Sequence, residues 1–211
     1  MRILELFAGS GSIGRVFEAA GWEVTSVDLS DKLSQPTICC SVLDIPLDKW
    51  PAGHFDVVWS SPPCVEYSRA KTTGTRDLES ADRLVLHTLA LIRALKPTYW
   101  FLENPKTGLL KTRSFMTMPY KDLSYCHYAP EWGYKKDTRV WTNCEHWNPK
   151  SCHYDCKALV AGARRHIASA QRGPGSQTPE NKWKQSDLYR IPPKLCEEIL
   201  EAVTFTAANA E

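Results

Sequence analysis

The chain has 211 residues, 43% of them hydrophobic, and a formal net charge of +2. This length and composition predict one sizeable globular core with room for a small appendage. No apolar run approaches the length of a membrane span, and the apolar start is too short and too interrupted for a signal peptide. We therefore expect a cytoplasmic protein with no membrane partner, whose eight cysteines are reduced.

The charges are unevenly distributed along the chain. Residues 106–172 contain twelve Lys and Arg against five Asp and Glu, whereas the remainder contains fourteen against nineteen. A basic block beside an acidic body favours a polyanionic partner, of which nucleic acid is the commonest. A solvated basic surface would give the same pattern.

The start of the chain predicts a β-α-β unit that binds a nucleoside-bearing cofactor. Gly9, Gly11 and Gly14 match the G-x-G-x-x-G spacing, and Asp28 follows nineteen residues after Gly9. Such a turn aims backbone N–H groups at a ligand, and the acid can accept a hydrogen bond from a ribose hydroxyl. The spacing does not separate NAD from S-adenosylmethionine, but the absence of Gly-Lys-Ser/Thr disfavours ATP. The elements are a strand at 2–7, the turn at 8–12, a helix at 13–20 and a strand at 22–27.

A cysteine follows a later buried strand, predicted at residues 55–60. Pro62 and Pro63 end that strand, because proline has no N–H to give to a sheet. Cys64 would then lie at the carboxyl edge of the sheet, where open α/β sheets bind their ligands and where a nucleophile would act. A small buried hydrophobe is the alternative interpretation of a free cysteine.

Two more polar groups are predicted near this edge. Asp44 follows a short apolar run and could meet an adenine amino group, although a turn residue before Pro46 is an equal interpretation. Glu103-Asn104-Pro105 follows a buried strand and reaches the edge that carries Cys64. The remaining predicted elements are a short run at 37–42, a loop at 69–80, a helix at 81–95, strands at 99–102, 123–128 and 139–142, and a closing helix at 194–203.

The order of these motifs resembles the DNA cytosine carbon-5 methyltransferases. The family motif Phe-x-Gly-x-Gly is matched by residues 7–11, and Pro-Cys-x-x-aromatic-Ser by residues 63–68, with Val65 where Gln is frequent. Glu-Asn-Val corresponds to Glu103-Asn104-Pro105. Arg-x-Arg-aliphatic-aromatic corresponds to residues 137–141, with Asp137 in place of the first Arg. The resemblance covers roughly residues 1–142. It implies S-adenosylmethionine and not NAD as the cofactor.

This resemblance implies an α/β, Rossmann-like methyltransferase fold, a mainly parallel sheet with helices on both faces and a small Cys-rich insert. It implies methyl transfer to carbon 5 of cytosine in DNA through a covalent adduct of Cys64. Glu103 would supply a proton at nitrogen 3, and Arg139 would hold the carbonyl oxygen at position 2. The base must be flipped out of a duplex or already be single-stranded. The implied cofactor-binding residues are Phe7, Ala8, Gly9, Ser10, Gly11, Asp28, Asp44 and Pro63.

The predicted domains are a catalytic core at 1–142, a basic Cys/His-rich insert at 143–190 for target recognition, and a closing segment at 191–211. The family usually has a larger recognition region, so we expect short or relaxed sequence specificity. DNA is the expected partner ahead of RNA, in a bacterial or phage-infected cell, as in restriction–modification systems. The candidate nucleic-acid contacts are Ser68, Arg69, Lys71, Lys150, Arg164 and Arg165.

The insert also contains the residue types of a zinc site. Three thiolates and one imidazole can form a closed tetrahedral site, and zinc would keep a polar segment folded. His146 and His153 compete for the fourth position, and a set of free thiols is the alternative. The predicted ligands are Cys144, Cys152, Cys156 and His166.

Two other functions stay open at the level of sequence. The chain could methylate cytosine in RNA or in a free nucleotide. It could also be a catalytically silent module that binds the cofactor and nucleic acid. The presence of Cys64, Glu103 and Arg139 together argues against the silent module.

Overall fold

The computed structural model describes residues 1–170 and 185–205. Residues 171–184 of the predicted insert and residues 206–211 of the predicted closing segment lie outside the described residues. The strands are β1 (Arg2–Leu6), β2 (Glu23–Asp28), β3 (Ile38–Cys39), β4 (Val57–Ser60), β5 (Tyr99–Pro105), β6 (Tyr120–Ser124), β7 (Tyr134–Lys135), β8 (Asp137–Thr142) and β9 (Ala168–Ser169). The helices are α1 (Ser12–Ala19), α2 (Leu78–Leu95), α3 (Gln185–Tyr189) and α4 (Pro193–Phe205).

The main sheet has seven strands in the order β3-β2-β1-β4-β5-β8-β6. The first five are parallel, and β8 runs antiparallel to both of its neighbours. The strand order changes direction between β1 and β4, so the loops that follow these two strands diverge. This divergence opens a crevice at the carboxyl edge, the place where open α/β sheets bind ligands. Strands β7 and β9 form a separate parallel pair.

Apolar side chains alternate between the two faces of the sheet, as expected for strands buried on both sides. On one face, Ile3 and Phe101 share a core with Phe17 of α1 and Leu195 of α4. On the other face, Leu4 packs with residues of α2. The predicted α/β class, with a mainly parallel sheet covered on both faces, is confirmed. Among the described residues, no helix is both long and apolar enough to cross a membrane.

Several element boundaries differ from the sequence prediction. Strand β6 ends at Ser124, and Tyr125–His127 form a 3₁₀ turn that leads the chain out of the sheet, so the predicted strand at 123–128 was wrong in its second half. Helix α2 begins three residues earlier than predicted, because Asp77 accepts a hydrogen bond from the Ser80 N–H at 3.0 Å and caps it. The pair β7 and β9 was not predicted, since two-residue strands have no measurable periodicity.

Candidate active site and Cys/His cluster

The glycine turn after β1 forms the first wall of the crevice. Phe7, Gly9 and Gly11 have φ of 57°, 51° and 65°, in the left-handed region that favours glycine and strains a phenylalanine. Asp28, at the end of β2, fixes the turn, because its Oδ2 accepts a hydrogen bond from the Gly9 N–H at 2.8 Å. Its Oδ1 accepts from the Ser30 N–H at 2.9 Å. The structure thus brings the predicted acid beside the predicted turn.

A buried carboxylate that the sequence analysis missed closes the base of this turn. Glu5 of β1 is 2% exposed and accepts hydrogen bonds from the Ile13 and Gly14 N–H groups of α1, at 3.2 and 3.0 Å. A Cβ on Gly14 would lie 2.6 Å from the Glu5 carboxylate and would clash with it. The third glycine of the motif therefore lets the carboxylate approach the backbone of α1. Burial raises the pKa of Glu5 to about 7, although the two backbone hydrogen bonds lower it.

The Glu5 contact separates the two cofactors that the spacing alone left open. A dinucleotide places its pyrophosphate on the N-terminus of the first helix. In this chain the Glu5 carboxylate already accepts from two N–H groups of that first turn. A second anion there would be repelled by Glu5 when it is ionised. The geometry therefore fits S-adenosylmethionine, which has no phosphate, better than NAD.

The loop after β4 is fixed around Cys64 at both ends. Asn104 of β5 donates a hydrogen bond from Nδ2 to the Pro62 carbonyl at 3.0 Å, which joins the Glu-Asn-Pro motif to the cysteine motif. Tyr67 is fully buried, and its hydroxyl donates to Asp82 of α2 at 2.8 Å. Cys64 itself is half-buried. Burial raises the pKa of its thiol, and the Lys136 ammonium opposes that rise.

These strand ends enclose a cavity of about 320 Å³ that contains both Cys64 and Glu103. This volume lies at the lower end of the usual range for small-molecule sites. Glu103 is 7% exposed, and its Oε1 is buried without a hydrogen-bond partner among the described residues. Because buried acceptors are nearly always satisfied, this atom is the one expected to meet a ligand donor. The predicted cofactor residues that line the cavity are Phe7, Ala8, Gly9, Ser10, Asp28 and Pro63.

Two predicted cofactor residues do not line the cavity. Gly11 caps the start of α1, behind the turn. Asp44 ends a 3₁₀ turn at Val42–Asp44, so its predicted contact with adenine is not supported by its position. The physical reason is that β3 has only two residues, and Ser41 then caps the 3₁₀ turn by accepting from the Leu43 N–H. The chain therefore leaves the sheet before it reaches Asp44.

Arg139 also lies elsewhere than predicted. It is paired with Asn104 across β5 and β8, whereas Glu103 is paired with Val140, so Arg139 and Glu103 point to opposite faces of the sheet. The Arg139 guanidinium donates to both carboxylate oxygens of Asp122, at 2.8 and 3.0 Å. It does not line the cavity, and its role at the cytosine carbonyl stays a prediction.

Comparisons with known proteins show the family of this chain. Residues 1–134 match the family described as C-5 cytosine-specific DNA methylase. The chain is 32% identical to the "Probable DNA (cytosine-5)-methyltransferase" of frog virus 3 (isolate Goorha), over 95% of this chain and 99% of that protein. The chain belongs to the C-5 cytosine-specific DNA methylase family. The sequence prediction of that family is thereby confirmed.

Other relatives of this methylase are much longer. It is 35% identical to the Type II methyltransferase M.XorII of Xanthomonas oryzae pv. oryzae, over 54% of this chain but 30% of that protein. A crystal structure of a prophage-encoded E. coli protein, described as a candidate DNA modification methyltransferase, aligns with a TM-score of 0.51 at 15% identity. That alignment covers 76% of this chain and 54% of the E. coli chain, and it supports the fold.

The methylase also contains a cluster of metal-ligand side chains outside the cavity. The ligand atoms of Cys126, Cys152, Cys156 and His166 all lie within 4.8 Å of one another. His166 Nε2 is 3.3 Å from Cys152 Sγ and 3.2 Å from Cys156 Sγ. The three cysteines are buried, and each is a free thiol. Three sulfurs and one imidazole nitrogen at such separations are the donor set of a structural zinc site.

Cys144 is not part of this cluster, so the predicted ligand set was wrong in one member. Cys144 is fully buried in the core beside Trp147, and its Sγ lies 3.5 Å from Nε2 of His146. The fourth cluster residue is instead Cys126, in the 3₁₀ turn after β6. The insert reaches it because the Cys152 N–H donates to Ser124 Oγ at 3.0 Å, two residues before Cys126.

The predicted nucleic-acid contacts fall into two groups. In the loop after Cys64, Ser68 is half-buried, Arg69 is exposed, and Lys71 pairs with Glu66 at 2.6 Å, which neutralises its charge. Lys150, Arg164 and Arg165 are exposed on the insert. Contact of either group with DNA stays a prediction.

Proposed function

We propose that this chain transfers a methyl group from S-adenosylmethionine to carbon 5 of cytosine in DNA, with Cys64 as the nucleophile. The observation that carries the proposal is one cavity lined by Cys64, Glu103 and the glycine turn, at which Glu103 keeps a buried Oε1 without a hydrogen-bond partner among the described residues. Membership of the C-5 cytosine-specific DNA methylase family supports DNA as the substrate.

Cys64 and Glu103 divide the work on the base. The Cys64 thiolate bonds to carbon 6, and the π electron pair between carbons 5 and 6 becomes available at carbon 5. Glu103 hydrogen-bonds the ring edge and gives a proton to nitrogen 3 as negative charge develops there. After methylation, a solvent base takes the proton from carbon 5, the double bond between carbons 5 and 6 forms again as Cys64 Sγ departs as a thiolate, and nitrogen 3 returns its proton to Glu103. The buried, unpartnered Glu103 Oε1 is suited to this contact with the base.

S-adenosylmethionine supplies an electrophilic methyl group when it is bound. The residues of the glycine turn would hold it, and Asp28 would accept a hydrogen bond from its ribose. Each carboxylate oxygen of Asp28 accepts one hydrogen bond from the backbone and has a second lone pair that is available to a ligand. Leu29 and Leu33 also line the cavity and are exposed, which offers apolar surface to the adenine. Pro63, which directly precedes Cys64, also lines the cavity.

A single substitution tests the proposal. Cys64→Ser should abolish methyl transfer to unmethylated duplex DNA, because a hydroxyl is a far weaker nucleophile than a thiolate near neutral pH. Its affinity for S-adenosylmethionine should stay within a few-fold of wild type. DNA that contains 5-fluorocytosine should trap the wild type covalently, since fluorine cannot leave as a proton does. Retained turnover in Cys64→Ser would remove Cys64 from the mechanism.

RNA and free dCMP are the alternative substrates. Transfer of labelled methyl groups from S-adenosylmethionine, measured separately with DNA, RNA and dCMP, decides between these three substrates. Exposed Lys150, Arg164 and Arg165 favour a polyanion over a single nucleotide. The proposed setting is a reducing cytoplasm, which agrees with the free thiols of the site and of the cluster. Viral and bacterial relatives fit an enzyme of bacterial or virus-infected cells.

We further propose that Cys126, Cys152, Cys156 and His166 bind one structural zinc ion. The compact geometry of the four donor atoms supports this set. The segment around them contributes little apolar core of its own, since among the described residues the buried cluster gains just Ala158 and the partly buried Leu159, beside the exposed Tyr154 ring against His166. Zinc would hold such a segment folded. The purified protein should then contain about one equivalent of zinc, as elemental analysis would measure.

A further inference from the structure

We infer that Lys136 binds the carbonyl oxygen at position 2 of the target cytosine, the role that sequence matching gives to Arg139. This inference rests on the proposed methyl transfer through Cys64. Lys136 lines the same cavity as Cys64 and Glu103, and it is the one Lys or Arg side chain among the described residues that do so.

The register of β8 explains why the lysine and not the arginine faces the cavity. Val140 lies opposite Glu103, and residues two apart on a strand share a face. Thr138 and Val140 therefore point toward the Glu103 side, and Lys136 continues that alternation immediately before β8 begins. Arg139 falls on the other face, where it pairs with Asp122 and stacks on the Tyr120 ring.

The surroundings of Lys136 hold its ammonium in place without neutralising it. Its Nζ donates to the Leu188 carbonyl at 3.0 Å and lies 4.6 Å from the centre of the Tyr125 ring. An ammonium has three donors, and within the described part of the chain this is its one hydrogen bond. Two donors are thus available to a ligand. The Arg139 guanidinium, in contrast, is committed to a carboxylate at two positions.

The chemistry of the adduct requires a cation at this point. When the Cys64 thiolate adds to carbon 6, negative charge spreads over nitrogen 3 and the oxygen at position 2. Glu103 meets the nitrogen, and the Lys136 ammonium hydrogen-bonds the oxygen and stabilises its charge, with no transfer of a proton. The other ionisable groups that line the cavity are the acids Glu5 and Asp28 and the phenol of Tyr189, so no other described side chain there supplies positive charge. Lys136 also opposes the rise in the pKa of Cys64 that burial causes.

Four variants test this role against a purely structural one. Methyl transfer to unmethylated plasmid DNA is measured under single-turnover conditions for Lys136→Met, Lys136→Gln, Lys136→Arg and Arg139→Met, with thermal unfolding and cofactor affinity as checks on folding. Lys136→Met should be slower by about 10²–10³-fold, the usual cost of one stabilising donor. Lys136→Arg should recover most of the rate. Arg139→Met should stay within about tenfold of wild type, because its loss affects stability and not the cavity.

Lys136→Gln separates the effect of the positive charge from that of the hydrogen bond to Leu188, because glutamine can still donate to the Leu188 carbonyl but carries no charge. We expect it to be nearly as slow as Lys136→Met and to need higher pH for its best rate. Wild-type rates in Lys136→Gln, or a large loss in Arg139→Met beside a normal Lys136→Met, would overturn the inference. A wild type that neither methylates DNA nor is trapped by 5-fluorocytosine would instead overturn the proposed function, and this inference with it.

Discussion

The parallel and the antiparallel halves of the sheet place their functional residues by different rules. In the parallel half, the glycine turn and Cys64 follow the ends of their strands, Glu103 lies near the carboxyl end of β5, and all parallel strands end at one edge. In the antiparallel half, Lys136, Arg139 and Cys126 lie near neighbouring strands but point in three different directions. Position along the chain is therefore enough to locate a site in the first half. In the second half, a residue reaches the site only if its side chain lies on the correct face of its strand. That face depends on how the strand pairs with residues that are distant in the sequence.

The largest predicted effect of a substitution concerns the Cys/His cluster, which includes Cys126 of the antiparallel half. Cys126→Ser should reduce bound zinc from about one equivalent to near zero and destabilise the fold by several kcal/mol, because structural zinc contributes about 10 kcal/mol or more to folding in small zinc domains. Elemental analysis and thermal unfolding measure the two effects. Cys144→Ser is the matched control, since it alters an equally buried thiol outside the cluster and should retain the metal. Metal loss in the control alone would restore the ligand set predicted from sequence.

The next effect concerns the parallel half. Glu103→Gln should slow methyl transfer by about 10²–10⁴-fold, because glutamine cannot give a proton to nitrogen 3. Single-turnover transfer of labelled methyl groups to DNA is the measurement. Glu131→Gln, at an exposed position in the other half, should leave the rate unchanged. A rate in Glu103→Gln equal to that of the control would show that Glu103 only positions the base.

A third prediction uses the pH dependence of Glu5. Its pKa is about 7 in the folded chain against an ordinary value of 4.5, so the folded state binds more protons between these pH values. The contribution of Glu5 to stability should therefore be fully present below about pH 4.5, fall as pH rises toward 7, and no longer change with pH above that. The expected loss is on the order of 3 kcal/mol.

Denaturant unfolding of wild type and Glu5→Gln across this range measures the change, because glutamine does not titrate. Arg15 lowers and Asp28 raises the pKa of Glu5, so both must be unchanged in the two proteins. A stability difference between the two proteins that stays constant with pH would mean that folding does not change the pKa of Glu5.

The smallest predicted effect concerns the link between the two motifs of the parallel half. Asn104→Ala removes the hydrogen bond to the Pro62 carbonyl and should cost about 1–3 kcal/mol of stability, because that carbonyl is buried. Thermal unfolding measures this cost, with a matching loss of rate from a less fixed Cys64. Asn148→Ala, which removes an exposed hydrogen bond to the His146 carbonyl, should change stability by less than about 0.5 kcal/mol. Equal effects of the two substitutions would show that the link does not hold the loop.

The sequence was sufficient wherever a motif carries its own local geometry. The glycine turn, the Pro-Pro-Cys loop and Glu103 could be located because strand ends follow directly from apolar runs and prolines. Glu5 could have been found as well, since an acid in the middle of an otherwise apolar strand indicates a buried partner.

The residues that were misplaced depend on structure that no local pattern encodes. Arg139 matched a family motif by spacing, but its face is set by the pairing of β8 with β5. Cys126 was overlooked because it lies in a segment predicted as strand, outside the Cys-rich stretch, and only the 3₁₀ turn at Tyr125–His127 directs it toward Cys152. Asp44 failed for a similar reason, because the brevity of β3 could not be seen in its sequence.

The position of Cys126 has a consequence for exchanging the predicted insert between related proteins. A chimera that exchanges residues 143–170 for the equivalent stretch of a relative would separate three donor atoms from the fourth, which remains in the recipient core. Such a transplant should be unstable even if the new stretch is well folded in its own protein. The transferable unit begins before the cluster, at β6, and includes the turn that follows it.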